Sequence, residues 1–410
     1  MPLRSYESFH RLSHPTNLDP DRSTGRRTSH SCVRPRSAFL AKPTWQHLAM
    51  SADRSLDEFF ESQVLDEFPP LVTAFAYGSA VFTQRGYSEA QKAAAMADLV
   101  FIVDDPASWH EANLRHNSSH YSGIARTLLG SHGVALVQDR IGAKIYYNQC
   151  TLRGRRIKYG VMSEQALADD LEHWSSLYVS GRMHKPIRPL VPWPSDGTLE
   201  GLLNSNRRAA VETSLLLLPQ AFGASELWGT LCRLSYAGDV RMGVGESGHK
   251  PDDIAAGQEA MLTEIYATPL AQALGADESS HSHLLLDAAS PAAIVQDVSL
   301  PARQRRLRAL PLHAQRTLLD ELGPRQAHTS AASPVAIADH LDAAASALWT
   351  RSRNDADANL KLSRALQTSL ARIVRRSSLA QTLKGVATAG VATSITYAIE
   401  KMRKRSRRGG

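Results

Sequence analysis

Cysteine is scarce in this chain. Three occur in 410 residues, Cys32, Cys150 and Cys232, and none has a partner at disulfide or zinc-ligand spacing. That argues against a disulfide framework and a cysteine zinc site, and it fits a reducing compartment. Only His281 and His283 sit close enough to share a metal, and Ser279, Ser280 and Ser282 mark that stretch as a polar loop. No run is apolar for the roughly 20 residues that a membrane-spanning helix needs. Residues 386–399 are interrupted by Thr388, Gly390, Thr393, Ser394 and Thr396. A basic interior is missing as well. The formal charge is +7, but residues 1–42 carry +5 and residues 401–408 carry +6, which leaves −4 for the body. A mildly acidic body is not a nucleic-acid-binding surface by default, and no nucleic-acid partner is expected.

What is present divides into stretches. Residues 1–48 are rich in Arg, Ser and Pro without apolar periodicity, and read as an organelle transit segment or a disordered tail. The spacing of Leu56, Phe59, Phe60 and Val64 predicts a helix that Pro69-Pro70 ends. Strands are expected at 71–77, 98–103, 142–147 and 156–162. Helices are expected from Trp109 and over 164–174, with a loop or short helix over 84–95. Pro186, Pro189, Pro192 and Pro194 mark a linker. A long helix over 198–218 follows, stopped by Pro219, then helical segments at 251–265 and 301–322. Residues 326–358, rich in Ala, Ser, His and Asp, read as a flexible linker, and 360–375 and 379–404 as terminal helices.

One stretch organises the rest. An apolar run ends in Tyr77-Gly78-Ser79-Ala80, and a second apolar run opens at Asp98. A strand, a Gly-Ser turn, a helix start and a strand opening on a carboxylate can hold a nucleoside triphosphate and its metal. Glycine lets backbone approach phosphate, serine adds a hydroxyl, a helix start presents N–H groups to negative charge, and aspartate offers a hard oxygen to magnesium. A plain turn between two buried elements gives the same pattern.

The segment from Tyr77-Gly78-Ser79 through Asp98-Leu99-Val100-Phe101-Ile102-Val103-Asp104-Asp105-Pro106, Trp109-His110, Asn113-Leu114 and Asn117-Ser118-Ser119-His120-Tyr121-Ser122 resembles the mitochondrial translocator assembly and maintenance protein family. The likeness continues through Tyr146-Tyr147-Asn148, Ile157-Lys158-Tyr159-Gly160-Val161, Leu177-Tyr178-Val179-Ser180-Gly181-Arg182 and Lys185-Pro186. It extends through the run from Leu234 to Met242, Val244-Gly245-Glu246 and the run from Ser377 to Gly385, so that it spans about residues 55 to 390. Members are peripheral phosphatidate cytidylyltransferases. The resemblance implies an α/β (α+β) nucleotidyltransferase-like mixed-sheet domain over 50–185. A mostly helical, winged-helix-like domain over 195–325 and a C-terminal amphipathic helix within 359–410 would follow. It implies CTP and phosphatidic acid as substrates, Mg2+ as cofactor, and a peripheral place on the matrix side of the mitochondrial inner membrane. Ala80 stands where the family has glycine, and Ile141 and Lys144 stand near positions that carry an aromatic and a glycine.

On this resemblance Asp98 is the magnesium ligand and, with Lys158, the catalytic pair. Tyr77, Gly78, Ser79, His120 and Tyr121 are the nucleotide-binding candidates. A lysine amid an apolar strand is costly unless paired, which phosphate would supply, although a sheet-edge lysine facing water is the plainer reading. His120-Tyr121 reads equally as a packed aromatic pair. Asp239 and Arg241 either pair with each other or offer Arg241 to the lipid phosphate. Asp104 and Asp105 read as a helix N-cap and a surface charge. Lys144 reads as a surface charge. Lys401, Arg403, Lys404, Arg405, Arg407 and Arg408 would hold an anionic membrane surface at ~1 kcal/mol each. Two other readings stay open: a nucleotidyltransferase with a protein or RNA acceptor, and a non-catalytic membrane-surface assembly or import factor.

Overall fold

Alternating side-chain direction along two short strands, buried on both faces, builds the centre of the fold. In Ala97–Val103, Leu99, Phe101 and Val103 point to one face, and Asp98, Val100 and Ile102 to the other. The structure is a computed structural model that describes residues 59–60, 64–86, 88–242, 248–275, 293–323 and 333–389. Strands β1 (Thr73–Tyr77), β2 (Ala97–Val103), β3 (Tyr146–Leu152), β4 (Arg155–Ser163) and β5 (Arg188–Val191) form one mixed sheet in the order β3-β4-β2-β1-β5. β2 and β4 run parallel, and the other three pairings are antiparallel. Arg153 (φ 46°) and Gly154 (φ 80°) close the β3–β4 hairpin in left-handed backbone, as a two-residue turn requires.

Helices cover both faces. α1 (Glu89–Ala93) fills the gap between β1 and β2. α2 (Pro106–His116) starts where the Asp105 carboxylate accepts the N–H groups of Ala107 and Ser108, each at 3.1 Å, with Pro106 in the first turn. With α3 (Gly130–Arg140) it packs near one face, where Trp109 meets Phe101 and Tyr159. On the other face Phe75, Val100, Ile102 and Met162 pack against Leu167 and Leu171 of α4 (Glu164–His173) and Leu199 and Leu203 of α6 (Thr198–Leu217). Between them lies the short α5 (Ser180–Met183).

A second core gathers Trp174 and Leu177 with α6 and the helices that follow. These are α7 (Ala224–Arg233), α8 (Lys250–Gly257), α9 (Glu259–Leu274), α10 (Leu300–Arg308), α11 (Leu312–Leu322), α12 (Pro334–Thr350) and α13 (Asp355–Ala389). Trp228, Tyr266, Leu318, Leu341, Leu366 and Leu370 are buried there. A small ribbon of Ala221–Phe222 and Ile294–Val295 joins them. α13 runs back to the sheet domain. The Gln381 amide takes the Ala143 N–H at 3.4 Å and donates to the Ile145 carbonyl at 3.2 Å, and Lys384 Nζ donates to the Ile141 carbonyl at 2.6 Å. Gly238, at φ 73°, lies so close that a Cβ there would meet the Ala371 carbonyl oxygen at 2.5 Å.

Several expectations change. The Gly-Ser corner leads into a turn, with Val81 and Phe82 N–H both on the Gly78 carbonyl, and the helix start comes only at Ser88. The strand expected over 142–147 begins at Tyr146, because Gly142 (φ 74°) and Lys144 (φ 53°) are left-handed. The proline-rich linker contains edge strand β5, where proline is tolerated because one side of the backbone needs no ladder bond. Within 326–358, Pro334–Thr350 is a helix capped by Ser333, whose hydroxyl accepts the Ala336 N–H at 3.2 Å. The two terminal helices are one through Ala389. The transit segment, His281, His283 and the basic tail lie outside the described residues. Among the described residues no helix is long and apolar enough to cross a membrane.

Candidate active site

Strand register sets the site. Tyr77 of β1 pairs with Asp98 of β2, Asp98 with Lys158 of β4, and Lys158 with Gln149 of β3. Paired residues project to the same face, so these four side chains form one row across the sheet. Lys158 Nζ stands 3.9 Å from Asp98 Oδ1, and the two side chains are 20% and 30% exposed. Gly78 (φ 86°) curls over this row: a Cβ there would sit 3.3 Å from Asp98 Oδ2. Only glycine takes that backbone without strain, and it leaves the carboxylate room. Ser79 is half-buried in the turn, and Ala80 is buried in the opposite-face core. Asp104 follows the far end of β2, away from Asp98.

Aromatic rings and cations surround the row. Lys158 Nζ lies 4.3 Å from the centre of the Tyr147 ring, which lies over Gly160. A Cβ on Gly160 would come within 2.6 Å of that ring. The Arg182 guanidinium lies 3.7 Å from the centre of the Tyr178 ring and 5.4 Å from that of Tyr77. Arg241 lies 5.8 Å from the Tyr178 ring and grips Asp239 with two bonds, of 3.0 and 2.6 Å. Burial alone would raise the Tyr178 phenol, but Arg182, Arg241 and Lys158 outweigh it and bring it below its ordinary value. Tyr77 is pushed up to about 12 by burial, against the pull of Arg182.

The loop that carries Tyr178 and Arg182 is built on one carboxylate. Asp170, 1% exposed, accepts the Ser176 N–H, the Ser176 hydroxyl and the Leu177 N–H on Oδ1, at 2.8, 2.8 and 2.9 Å. Its Oδ2 accepts the Val179 and Ser180 N–H groups at 3.1 and 2.9 Å. Trp174 (φ 55°) and Leu177 (φ 51°) are left-handed, a conformation costing non-glycine residues roughly 1–2 kcal/mol each. The carboxylate offsets that strain at Leu177, and the Asp170 main-chain carbonyl takes the Trp174 N–H at 3.1 Å.

Of the sequence candidates, the fold brings together Tyr77, Gly78, Ser79, Asp98 and Lys158, with Asp239 and Arg241 reaching in from the helical side. His120 and Tyr121 do not join them. His120 Nδ1 meets the Tyr159 hydroxyl at 3.0 Å, and the Tyr121 hydroxyl meets His110 at 2.7 Å and Asn113 at 2.9 Å. Tyr159 points to the face opposite Lys158, so this buried network belongs to packing there. Lys144 pairs with Asp169 at 3.1 Å on the surface. Tyr147, Tyr178 and Arg182 lie in stretches that carry the resemblance, but sequence gives them no site role, because no local pattern sets them apart from core aromatics and a helix arginine. No group of three or more His, Cys, Asp or Glu among the described residues is arranged to hold a metal ion.

A carboxylate and a lysine in register, beside guanidinium groups and phenols, suit an enzyme that handles phosphate-bearing substrates. Comparison with known proteins names the kind. Residues 61–404 match the family model described as phosphatidate cytidylyltransferase, mitochondrial. Proteins of that name from Xenopus laevis and Danio rerio are 35% and 34% identical to it. These alignments cover 83% and 84% of this chain and 93% and 94% of the relatives. The one from Caenorhabditis elegans is 32% identical over 85% of this chain and 98% of its own. The chain belongs to the mitochondrial phosphatidate cytidylyltransferase family, a family of nucleotidyltransferase enzymes.

Proposed function

We propose that the protein transfers the cytidylyl group of CTP to phosphatidic acid. The products are CDP-diacylglycerol and pyrophosphate, for mitochondrial phospholipid (cardiolipin) synthesis. The observation that carries this reading is the Asp98–Lys158 pair on parallel strands beneath the Gly78 turn, in a chain of this family. In this reading residues 50–185 are a nucleotidyltransferase-like domain and residues 195–325 a winged-helix-like one.

An oxygen of the lipid phosphate attacks the α-phosphorus of CTP in line. The bond from that phosphorus to the bridging oxygen breaks, and pyrophosphate leaves with the electron pair. The attacking oxygen is already ionised near neutral pH, so alignment and charge neutralisation supply most of the acceleration. Lys158 offsets phosphate charge, while Tyr77, Gly78 and Ser79 border the nucleotide. Magnesium is commonly held by one or two carboxylates together with substrate phosphates, and the lone, part-exposed Asp98 fits that mode. When bound, the ion supplies neutralisation of developing charge. The basic residues from Lys401 to Arg408 hold the enzyme peripherally on an anionic surface, the matrix side of the inner membrane.

The test is pyrophosphate release by purified protein given CTP, magnesium and phosphatidic acid vesicles. Asp98→Ala is expected to lower the rate at least a hundredfold with its melting temperature within ~3 °C of the parent. Full activity in that variant would remove Asp98 from the mechanism.

A further inference from the structure

We infer that Arg182 seats the phosphomonoester of the acceptor lipid; this rests on the cytidylyl-transfer reading and assigns its second substrate subsite. Three cations gather at Tyr178, and they differ in how far they are already satisfied. Arg241 is bonded to both oxygens of Asp239. Lys158 faces Asp98 at 3.9 Å. Arg182 forms no ion pair with a carboxylate among the described residues, and Asp239, whose charge it feels, is taken up by Arg241. Its Nη1 donates to the Tyr178 carbonyl at 2.5 Å, and its plane is held against Tyr178 and Tyr77.

A half-buried guanidinium that meets phenols and a carbonyl but no carboxylate is costly to keep unless a ligand supplies the charge. Its fork matches the oxygens of a phosphate bidentately, and a phosphomonoester brings up to two negative charges. The position suits the acceptor. Reacting atoms must come within ~3–3.5 Å, so the acceptor phosphate must adjoin the nucleotide's. Arg182 reaches the Asp98 row through Tyr77, which pairs with Asp98 in the strand register and lies under the guanidinium. Arg241, from the helical side, lies 5.8 Å from the centre of the same Tyr178 ring. Asp170 fixes this geometry through Val179 and Ser180.

The experiment is steady-state kinetics on Arg182→Ala and Arg182→Lys, varying CTP and a soluble short-chain phosphatidic acid separately, with calorimetric binding of CTP and magnesium alongside. The short chain removes membrane attachment from the comparison, and a second arm uses vesicles. The expected result is a KM for the short-chain lipid raised at least tenfold in Arg182→Ala and less in Arg182→Lys. The KM and Kd for CTP should stay within twofold. An equal rise in the vesicle arm places the defect at the phosphate. A defect seen only with vesicles overturns the assignment, as does a change in CTP affinity or an unchanged lipid KM. If Arg182→Ala does not fold, the lipid KM of Arg182→Lys decides. If the parent itself makes no product from CTP and phosphatidic acid, it is the parent reading that fails.

Discussion

Replacing Asp170 by asparagine removes one charge and one acceptor from a closed pocket. In the parent, Oδ1 takes three donors within 2.9 Å and the Ser175 hydroxyl at 3.5 Å, and Oδ2 takes two within 3.1 Å. An asparagine must turn its NH2 toward one of these sets, leaving two or three donors facing hydrogens. Each buried donor left unpaired costs roughly 1–3 kcal/mol, with relaxation recovering part of it. The left-handed Leu177 then loses the bond that holds it, while Trp174 keeps its N–H on the Asp170 main-chain carbonyl. A loss of about 3–5 kcal/mol is expected, in the range reserved for broken buried networks. At ~2 °C per kcal/mol for a chain of this size, the melting temperature should fall by about 6–10 °C. Urea unfolding followed by circular dichroism measures it. Asp169→Asn is the matched control: that carboxylate meets Lys144 on the surface, so at most ~1 kcal/mol is at stake. Should Asp170→Asn unfold within 1 kcal/mol of the parent, the carboxylate does not organise this loop.

Two further outcomes are expected. His110 and His184 are held neutral by burial, at about 4 and about 3, below the ordinary value near 6.5. The unfolded chain therefore binds protons that the native one refuses. Stability is complete above pH 6.5 and falls as pH drops toward 4, by about 1.4 kcal/mol per histidine between pH 7.5 and 5.5. Urea midpoints at those two pH values measure the loss, and His110→Gln should remove about half of it. Gly160→Ala would press a methyl to within 2.6 Å of Tyr147 and 2.5 Å of Ile145. It should cost ~1–3 kcal/mol by overpacking and lower turnover by displacing the ring beneath Lys158. Unchanged kinetics in a folded Gly160→Ala protein would separate Tyr147 from the site.

Much of the sheet was legible because β1, β2 and the middle of β4 are largely apolar runs buried on both faces. β1, β2 and β4 differ from their sequence expectation by one or two residues at the ends. The misjudged places have local causes. Pro189 hides an edge strand in what looks like a linker, since the edge tolerates the missing N–H. Ala-rich 334–350 lacks bulky periodicity yet is a strong helix former behind a Ser-Pro start. Of the candidate site, Asp98 stands out as the acid opening an apolar strand. Arg182 meets Tyr77 only through tertiary packing 105 residues further along, which no local pattern encodes. His120 and Tyr121 carried the right chemistry on the wrong face, and only strand parity separates them from Lys158.

The brace between α13 and the sheet has a consequence for how the polypeptide comes of age. Gln381 and Lys384 bond partners 236 to 246 positions upstream. Contacts this distant in sequence form late, after their loop-closure entropy has been met. A ribosome still holding the last stretch of chain thus withholds the support of Ile145. The brace is expected to close last, and a chain cut before Gln381 lacks it even with Asp98 and Lys158 intact.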